Sequence, residues 1–171
     1  IGASAMYGYQ FMEMQYTAEK NGWTKFVSMQ NHYNLLYRED ERELIPICDA
    51  QNVARTPYSP LAAGRLSRPT WSADTLRSRT DMTAQGKYDK TRESDMVIVK
   101  RVSELAEKKD ATMTQIALAW QFAKGAASPV IGATKAKYLD DAAGSFSVKL
   151  SKEEIDYLEE AYVPDHVVGA L

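Results

Sequence analysis

The sequence predicts an α/β protein built around a parallel sheet, and three observations carry that reading. Short apolar or β-branched runs alternate with longer amphipathic stretches, the pattern of repeated βα units. Hydrophobic residues make up 44% and charged residues 26% of the 171 positions, the usage of a folded chain with a substantial core. The single cysteine, Cys48, cannot form an internal disulfide, and no apolar run approaches the ~20 residues that cross a bilayer. A cytoplasmic protein with no membrane partner is therefore expected. With 21 Lys and Arg against 23 Asp and Glu, the net charge of −2 is too balanced to favour nucleic acid. The chain starts at Ile1 with no charged leader, which reads as a fragment or a processed piece.

The elements follow in order. A first, short run from Ile1 to Ser4 leads through Tyr7-Gly8-Tyr9 into a helix of about three turns that closes at Asn21-Gly22. Lys25 to Gln30 reads as a strand, the polar-aromatic Asn31-His32-Tyr33-Asn34 as a loop, and Glu39 to Gln51 as a helix with Leu44, Ile45 and Cys48 on one face. Val53 to Pro57 reads as a third strand. Periodicity then disappears for about thirty residues, Gly64 to Glu93, longer than an ordinary connection and so a candidate functional loop. This loop is basic, with Arg65, Arg68, Arg77, Arg79, Lys87, Lys90 and Arg92 against Asp74, Asp81, Asp89 and Glu93, which suggests an anionic ligand.

Helical spacing returns at Ser94 and runs to Lys109 through Ile98, Val102, Leu105 and Ala106. Thr112 and Gln115 form a capping box for the next helix, which Lys124-Gly125 closes. Pro129 to Ile131 reads as a short buried strand, Gly132-Ala133-Thr134 as a turn, and Lys135 to about Ser145 as a helix. The last helix opens on a second capping box, Ser151 with Glu154, and stops at Pro164. These four βα units, the first truncated, would leave two bare sheet edges, a liability that closed barrels avoid. Half a (β/α)₈ TIM barrel fits, because such barrels take about 250 residues. Residues 1–171 are thus expected to form one partial domain.

A barrel of this type carries its site on the C-terminal strand ends, here Ser4, Gln30, Tyr58-Ser59-Pro60-Leu61 and Gly132-Ala133-Thr134. With Gly64-Arg65-Leu66-Ser67, these residues resemble the second half of an aldo-keto reductase. The segments Val27 to Arg38, Pro57 to Leu66 and Pro129 to Thr134 are similar to the fungal and microbial aryl-alcohol-dehydrogenase-like branch. The resemblance covers essentially the whole chain, to the Tyr162-x-Pro164 tail.

That resemblance implies NADP(H) across the barrel mouth. Tyr58 would stack on the nicotinamide, and Ser4 and Gln30 would hydrogen-bond its carboxamide. Ser59, Pro60 and Leu61 with the loop from Gly64 would close over the pyrophosphate, Arg65 or Arg68 supplying charge. Gly132, Thr134 and Lys135 or Lys137, at a helix start, would hold the adenosine 2′-phosphate. Tyr138, Asp141 and Ala142 stand where the family has a Gln, an acidic residue and an Asn against adenine, and Ala5 replaces an Asn. The family's catalytic Asp, Tyr, Lys and His belong to the missing N-terminal half of the barrel, so no catalytic residue is expected here. His32 and His166 read as surface or loop histidines without metal or nucleophile partners. The implied activity is reduction of a small-molecule carbonyl substrate, an aldehyde or ketone, to an alcohol, this half holding the cofactor and being inactive alone. A non-catalytic nucleotide-sensing subunit of the same fold is the alternative.

Overall fold

The computed structural model describes residues 1–71, 81–88, 91–165 and 167. Three strands, β1 (Gly2–Ser4), β2 (Ser28–Gln30) and β3 (Ala54–Arg55), lie parallel in the order β1-β2-β3. Gly2 pairs with Ser28 and Ser28 with Ala54, while Ala3 pairs with Met29 and Met29 with Arg55. Parallel pairing continues beyond β2 and β3 as a bridge between His32 and Tyr58, and Tyr58 bridges in turn to Val130. The chain thus has the sequential parallel order expected of consecutive βα units, in a partial sheet.

Helices α1 (Gly8–Lys20) and α2 (Leu44–Ala50) cover one face. Met29 is fully buried there among Phe11, Leu44, Cys48 and Val53. Cys48 packs as a small apolar group, and burial pushes its thiol up to about 11. The other sheet face, carrying Gly2, Ser4, Ser28, Gln30 and Ala54, is small and polar and mostly exposed. A half-barrel is expected to leave the inner face of its sheet uncovered, and here that face is polar and not apolar. Large exposed apolar side chains lie instead on and after α1, at Tyr9, Met12, Tyr16 and Trp23, and near the C-terminal end, at Leu139 and Phe146.

The main core is built by α3 (Met82–Tyr88), α4 (Arg92–Lys108), α5 (Met113–Ala123) and, after the peripheral α6 (Ala136–Gly144) that packs on α5, α7 (Lys152–Glu159), around the loops that follow the strands. Ile98, Val102, Ile116, Trp120 and Leu158 are buried in it with Tyr33, Leu35 and Leu36. Both capping boxes form: Thr112 accepts from the Gln115 amide (3.1 Å) and Ser151 from the Glu154 amide (3.3 Å), with the reciprocal bonds also present.

Four boundaries differ from the sequence reading. The strands are shorter, because Phe26 is held from its backbone by the Gln15 side chain and not by a neighbouring strand. The helix expected over Glu39 to Gln51 divides into a 3₁₀ turn (Glu39–Arg42) and α2, with Glu43 at non-helical φ −144° and ψ −60° between them. Pro46, which has no N–H, lies in the first turn of α2. Residues 64–93 are not without regular structure: a 3₁₀ segment (Ala62–Ser67), α3 and the start of α4 occupy parts of them. Arg77, Arg79, Lys90, Asp74 and Asp89 of that loop, and His166, lie outside the described residues. The expected buried strand Pro129 to Ile131 is reduced to Val130, which bridges to Tyr58 on one side and remains 44% exposed.

Candidate functional site at the strand ends

Parallel register places the ends of the strands side by side. Ser4 pairs with Gln30, the Ala5 amide donates to the Gln30 carbonyl (2.9 Å), and the Ser4 hydroxyl donates to that same carbonyl (3.3 Å). One strand further, the Tyr58 amide donates to the Asn31 carbonyl (2.8 Å), and the Val130 amide donates to the Pro57 carbonyl (2.8 Å). Ser4, Gln30, Tyr58 and the start of the Gly132 turn therefore succeed one another along one edge of the sheet.

Tyr58 is held by an aromatic wall. Its ring is nearly parallel to that of His32, with centroids 5.0 Å apart at 9°, and His32 stacks in turn on Tyr37 at 4.2 Å and 16°. Tyr88, from α3, meets His32 edgewise, and its hydroxyl hydrogen-bonds His32 Nε2 at 2.7 Å. Asn34 Nδ2 donates to that hydroxyl and to the Ser59 carbonyl, both at 3.0 Å, so one amide joins the loop after β2 to the turn after β3. Burial raises the Tyr88 hydroxyl pKa, which keeps it protonated and able to donate. His32 lies in the loop after β2 as expected, but at 2% exposure it is buried, which corrects the surface alternative. Tyr37, five residues on, and the distant Tyr58 and Tyr88 enclose it, and no local pattern announces the last two.

Lys87 and Asp40 complete the surroundings, and neither was singled out in the sequence as a site residue. The Lys87 ammonium lies 4.8 Å from the Tyr58 ring centroid; burial pushes its pKa down and Asp81 draws it partly back. Asp40 accepts from Asn31 Nδ2 (2.9 Å) and is pushed up to about 6, burial outweighing that hydrogen bond. Burial, and then the Asp40 charge, raise the Tyr58 phenol.

The turn after β3 is tightly wound, with positive φ at Ser59 (53°), Ala62 (48°), Ala63 (55°) and Gly64 (89°). Left-handed backbone at three non-glycine residues is costly, and such strain collects where a loop must hold a particular shape. Pro60 is buried and Leu61 packs against the main core. The Arg65 guanidinium lies over both Tyr88 (5.1 Å) and Trp71 (5.2 Å), whereas Arg68 Nη2 sits 3.5 Å from where a Gly64 side chain would begin. Arg68 thus packs directly on the glycine turn, and Arg65 braces it from the aromatic side.

The turn from Gly132 to Lys135 is exposed, and α6 opens after it with Lys135 as N-cap, no side-chain cap and no acidic residue in the first turn. Uncapped amides at the positive end of a helix suit an anion. Lys137 lies 5.3 Å from the Tyr138 ring centroid. Asp141 accepts from the Thr112 hydroxyl (2.7 Å), which ties α6 to the start of α5. Among the described residues no cluster of His, Cys, Asp and Glu could hold a metal, and no helix is long and apolar enough to cross a membrane.

Polar groups side by side at the C-terminal ends of parallel strands are the arrangement on which α/β barrels build their sites. The chain belongs to the aldo/keto reductase family, whose match spans residues 1–163 and whose fold is a (β/α)₈ barrel. It is 46% identical to the Schizosaccharomyces pombe protein named "Putative aryl-alcohol dehydrogenase", over 100% of this chain and 52% of the relative. Versiconal hemiacetal acetate reductase of Aspergillus parasiticus is 46% identical over 96% of this chain and 48% of its own length. An aldo-keto reductase of Alternaria alternata is 41% identical over 99% and 45%. The chain spans about half the length of the curated relatives it matches. The family's oxidoreductases generally use NAD(P)H. The residues present fit such a group: a flat ring fixed in orientation at Tyr58, exposed polar groups at Ser4 and Gln30, and an uncapped helix start with lysines.

Proposed function

We propose that this chain is the C-terminal half of an NADP(H)-dependent oxidoreductase barrel that reduces aldehydes or ketones to alcohols in the cytoplasm. The observation that carries the reading is the Tyr58 ring, braced by His32 at the strand ends beside the paired Ser4 and Gln30. Tyr58 presents a flat surface that orients a nicotinamide, and Ser4 and Gln30 bond its carboxamide and so select which of its faces meets the substrate. Ser59, Pro60, Leu61 and Gly64 line the path of the pyrophosphate, with Arg68 and Arg65 supplying positive charge. Gly132, Thr134 and Lys135, at the start of α6, hold the 2′-phosphate, and Tyr138 and Asp141 flank the adenine side.

A bound reduced nicotinamide supplies the hydride. In this reading the group that delivers the accompanying proton to the carbonyl oxygen is supplied by the N-terminal half of the barrel, the chain's principal partner, and not by the described strand-end residues. The names of the relatives favour an aryl aldehyde or a related carbonyl compound as substrate. The test is to assay NADPH oxidation with an aromatic aldehyde, using the complete barrel and residues 1–171 alone. Turnover by the complete protein and none by residues 1–171 is expected; turnover by residues 1–171 alone would overturn the division of labour.

A further inference from the structure

The surroundings of Tyr58 are asymmetric, and that asymmetry has an electrostatic consequence. His32 stacks on one face of the phenol ring, so a flat ligand ring reaches Tyr58 from the side His32 leaves open. The Lys87 ammonium already lies over the same ring, 4.8 Å from its centroid, with the Asp81 charge acting on it from further off. It cannot withdraw far, because the neighbouring Tyr88 is 2% exposed and bonded to both His32 and Asn34, which pins the end of α3 beside the strand edge. A four-carbon side chain rooted there swings aside for a stacking ligand yet keeps its charge within a few ångströms of it.

Resting on the reading of Tyr58 as the nicotinamide platform, we propose that Lys87 makes this site discriminate between the two redox states of the cofactor. The oxidised nicotinamide carries a positive charge on its ring and the reduced ring is neutral. Lys87 repels the first and is indifferent to the second. Every interaction with the adenosine and phosphate portions is common to both forms and cancels in the ratio of their affinities. Lys87 therefore acts as a specificity residue that favours loading of the reduced form and release of the oxidised one. Like charges about 3–6 Å apart, screened as in water at an open site mouth, alter that ratio roughly three- to tenfold.

The experiment measures dissociation constants for NADPH, by its own fluorescence, and for NADP+, by competition, in the complete protein and in Lys87→Met and Lys87→Arg. Met keeps the reach of the side chain and removes the charge; Arg keeps the charge. Lys87→Met is expected to narrow the preference for NADPH over NADP+ roughly three- to tenfold, chiefly by tightening NADP+, while Lys87→Arg preserves it. An unchanged ratio in Lys87→Met, even with both affinities shifted together, overturns the proposal and leaves the cofactor site standing. A ratio that collapses equally in Lys87→Arg also overturns it. Failure of the wild-type protein to bind either form would instead overturn the reading of the site on which the proposal rests.

Discussion

Replacing Arg38 by Met breaks the cluster that fastens the last helix to the loop carrying His32. Arg38 donates to Glu41 from Nη2 (2.8 Å) and Nε (3.1 Å), and to Glu159 Oε2 from Nη2 (2.8 Å). It also lies over the Tyr162 ring at 5.2 Å. The side chains of Arg38 and Glu159 are only 11% and 16% exposed, so removing the guanidinium leaves two carboxylates poorly solvated. Breaking a fully buried pair costs ~3–5 kcal/mol. Here Lys124 remains 3.1 Å from Glu159 and 3.6 Å from Glu41, and Glu41 is partly hydrated, which brings the expected loss to about 2–3 kcal/mol. Lys124→Met, at a site 28% exposed, serves as the comparison and should cost ~1 kcal/mol or less. Denaturant melts of the complete protein, followed by tryptophan fluorescence, measure both, since Trp120 donates to Glu159 inside the cluster (2.8 Å). The loss should shrink in acid. Burial works against ionisation of Glu41, but hydrogen bonds from Arg38 and Tyr33 prevail and hold its carboxyl below the ordinary range. Its contribution is complete above the unfolded pKa and disappears as pH falls through the folded one. Equal, small losses in the two variants would refute the reasoning.

Tyr58→Ala in the complete protein should weaken NADPH binding by about 0.5–1.5 kcal/mol beyond the loss of buried area and slow hydride transfer; an unchanged dissociation constant and turnover would return Tyr58 to a packing role. Asp95, which accepts from Thr91 (2.7 Å), is pushed up to about 6 by burial despite that bond. Its folded pKa exceeds the unfolded value, so stability is fully present below about pH 4 and is lost as pH rises to about 6. Asp95→Asn should remove that slope and be ~1–2 kcal/mol more stable at pH 7, as pH-dependent urea melts will show. Residues 1–171 alone should self-associate in light scattering, through bare strand edges and the exposed Tyr9, Met12, Tyr16 and Trp23; a stable monomer would contradict this.

What was legible in the sequence is what short-range chemistry decides. The capping boxes at Thr112 and Ser151 are written within four residues, and the structure forms both. The βα alternation reads correctly because its periods are local, and Ser4, Gln30 and Tyr58 can be placed at strand ends from that alternation alone. The length of β2 was overestimated because Phe26 satisfies strand propensity while both its backbone groups are taken by the Gln15 side chain. The Glu39 to Gln51 helix reads as continuous by apolar spacing, but Glu39 is diverted to accept from the Tyr162 hydroxyl (2.8 Å) and the Asp165 amide (2.9 Å). The burial of His32 was missed at longer range: Tyr58 and Tyr88, which enclose it with the nearby Tyr37, reach it only through the fold. Lys87 over Tyr58 is likewise a tertiary fact, invisible in a loop that reads simply as basic.

Central to the proposed function is a cofactor with a phosphorylated ribose lying from Tyr58 to the start of α6. Fluorescence titration of the complete protein with NADPH and NADH tests this most directly, because the two differ only in the 2′-phosphate assigned to Gly132, Thr134 and Lys135. Markedly tighter NADPH binding, lost when Thr134 and Lys135 are both replaced by Ala, is the predicted result; equal affinity for the two cofactors would contradict it.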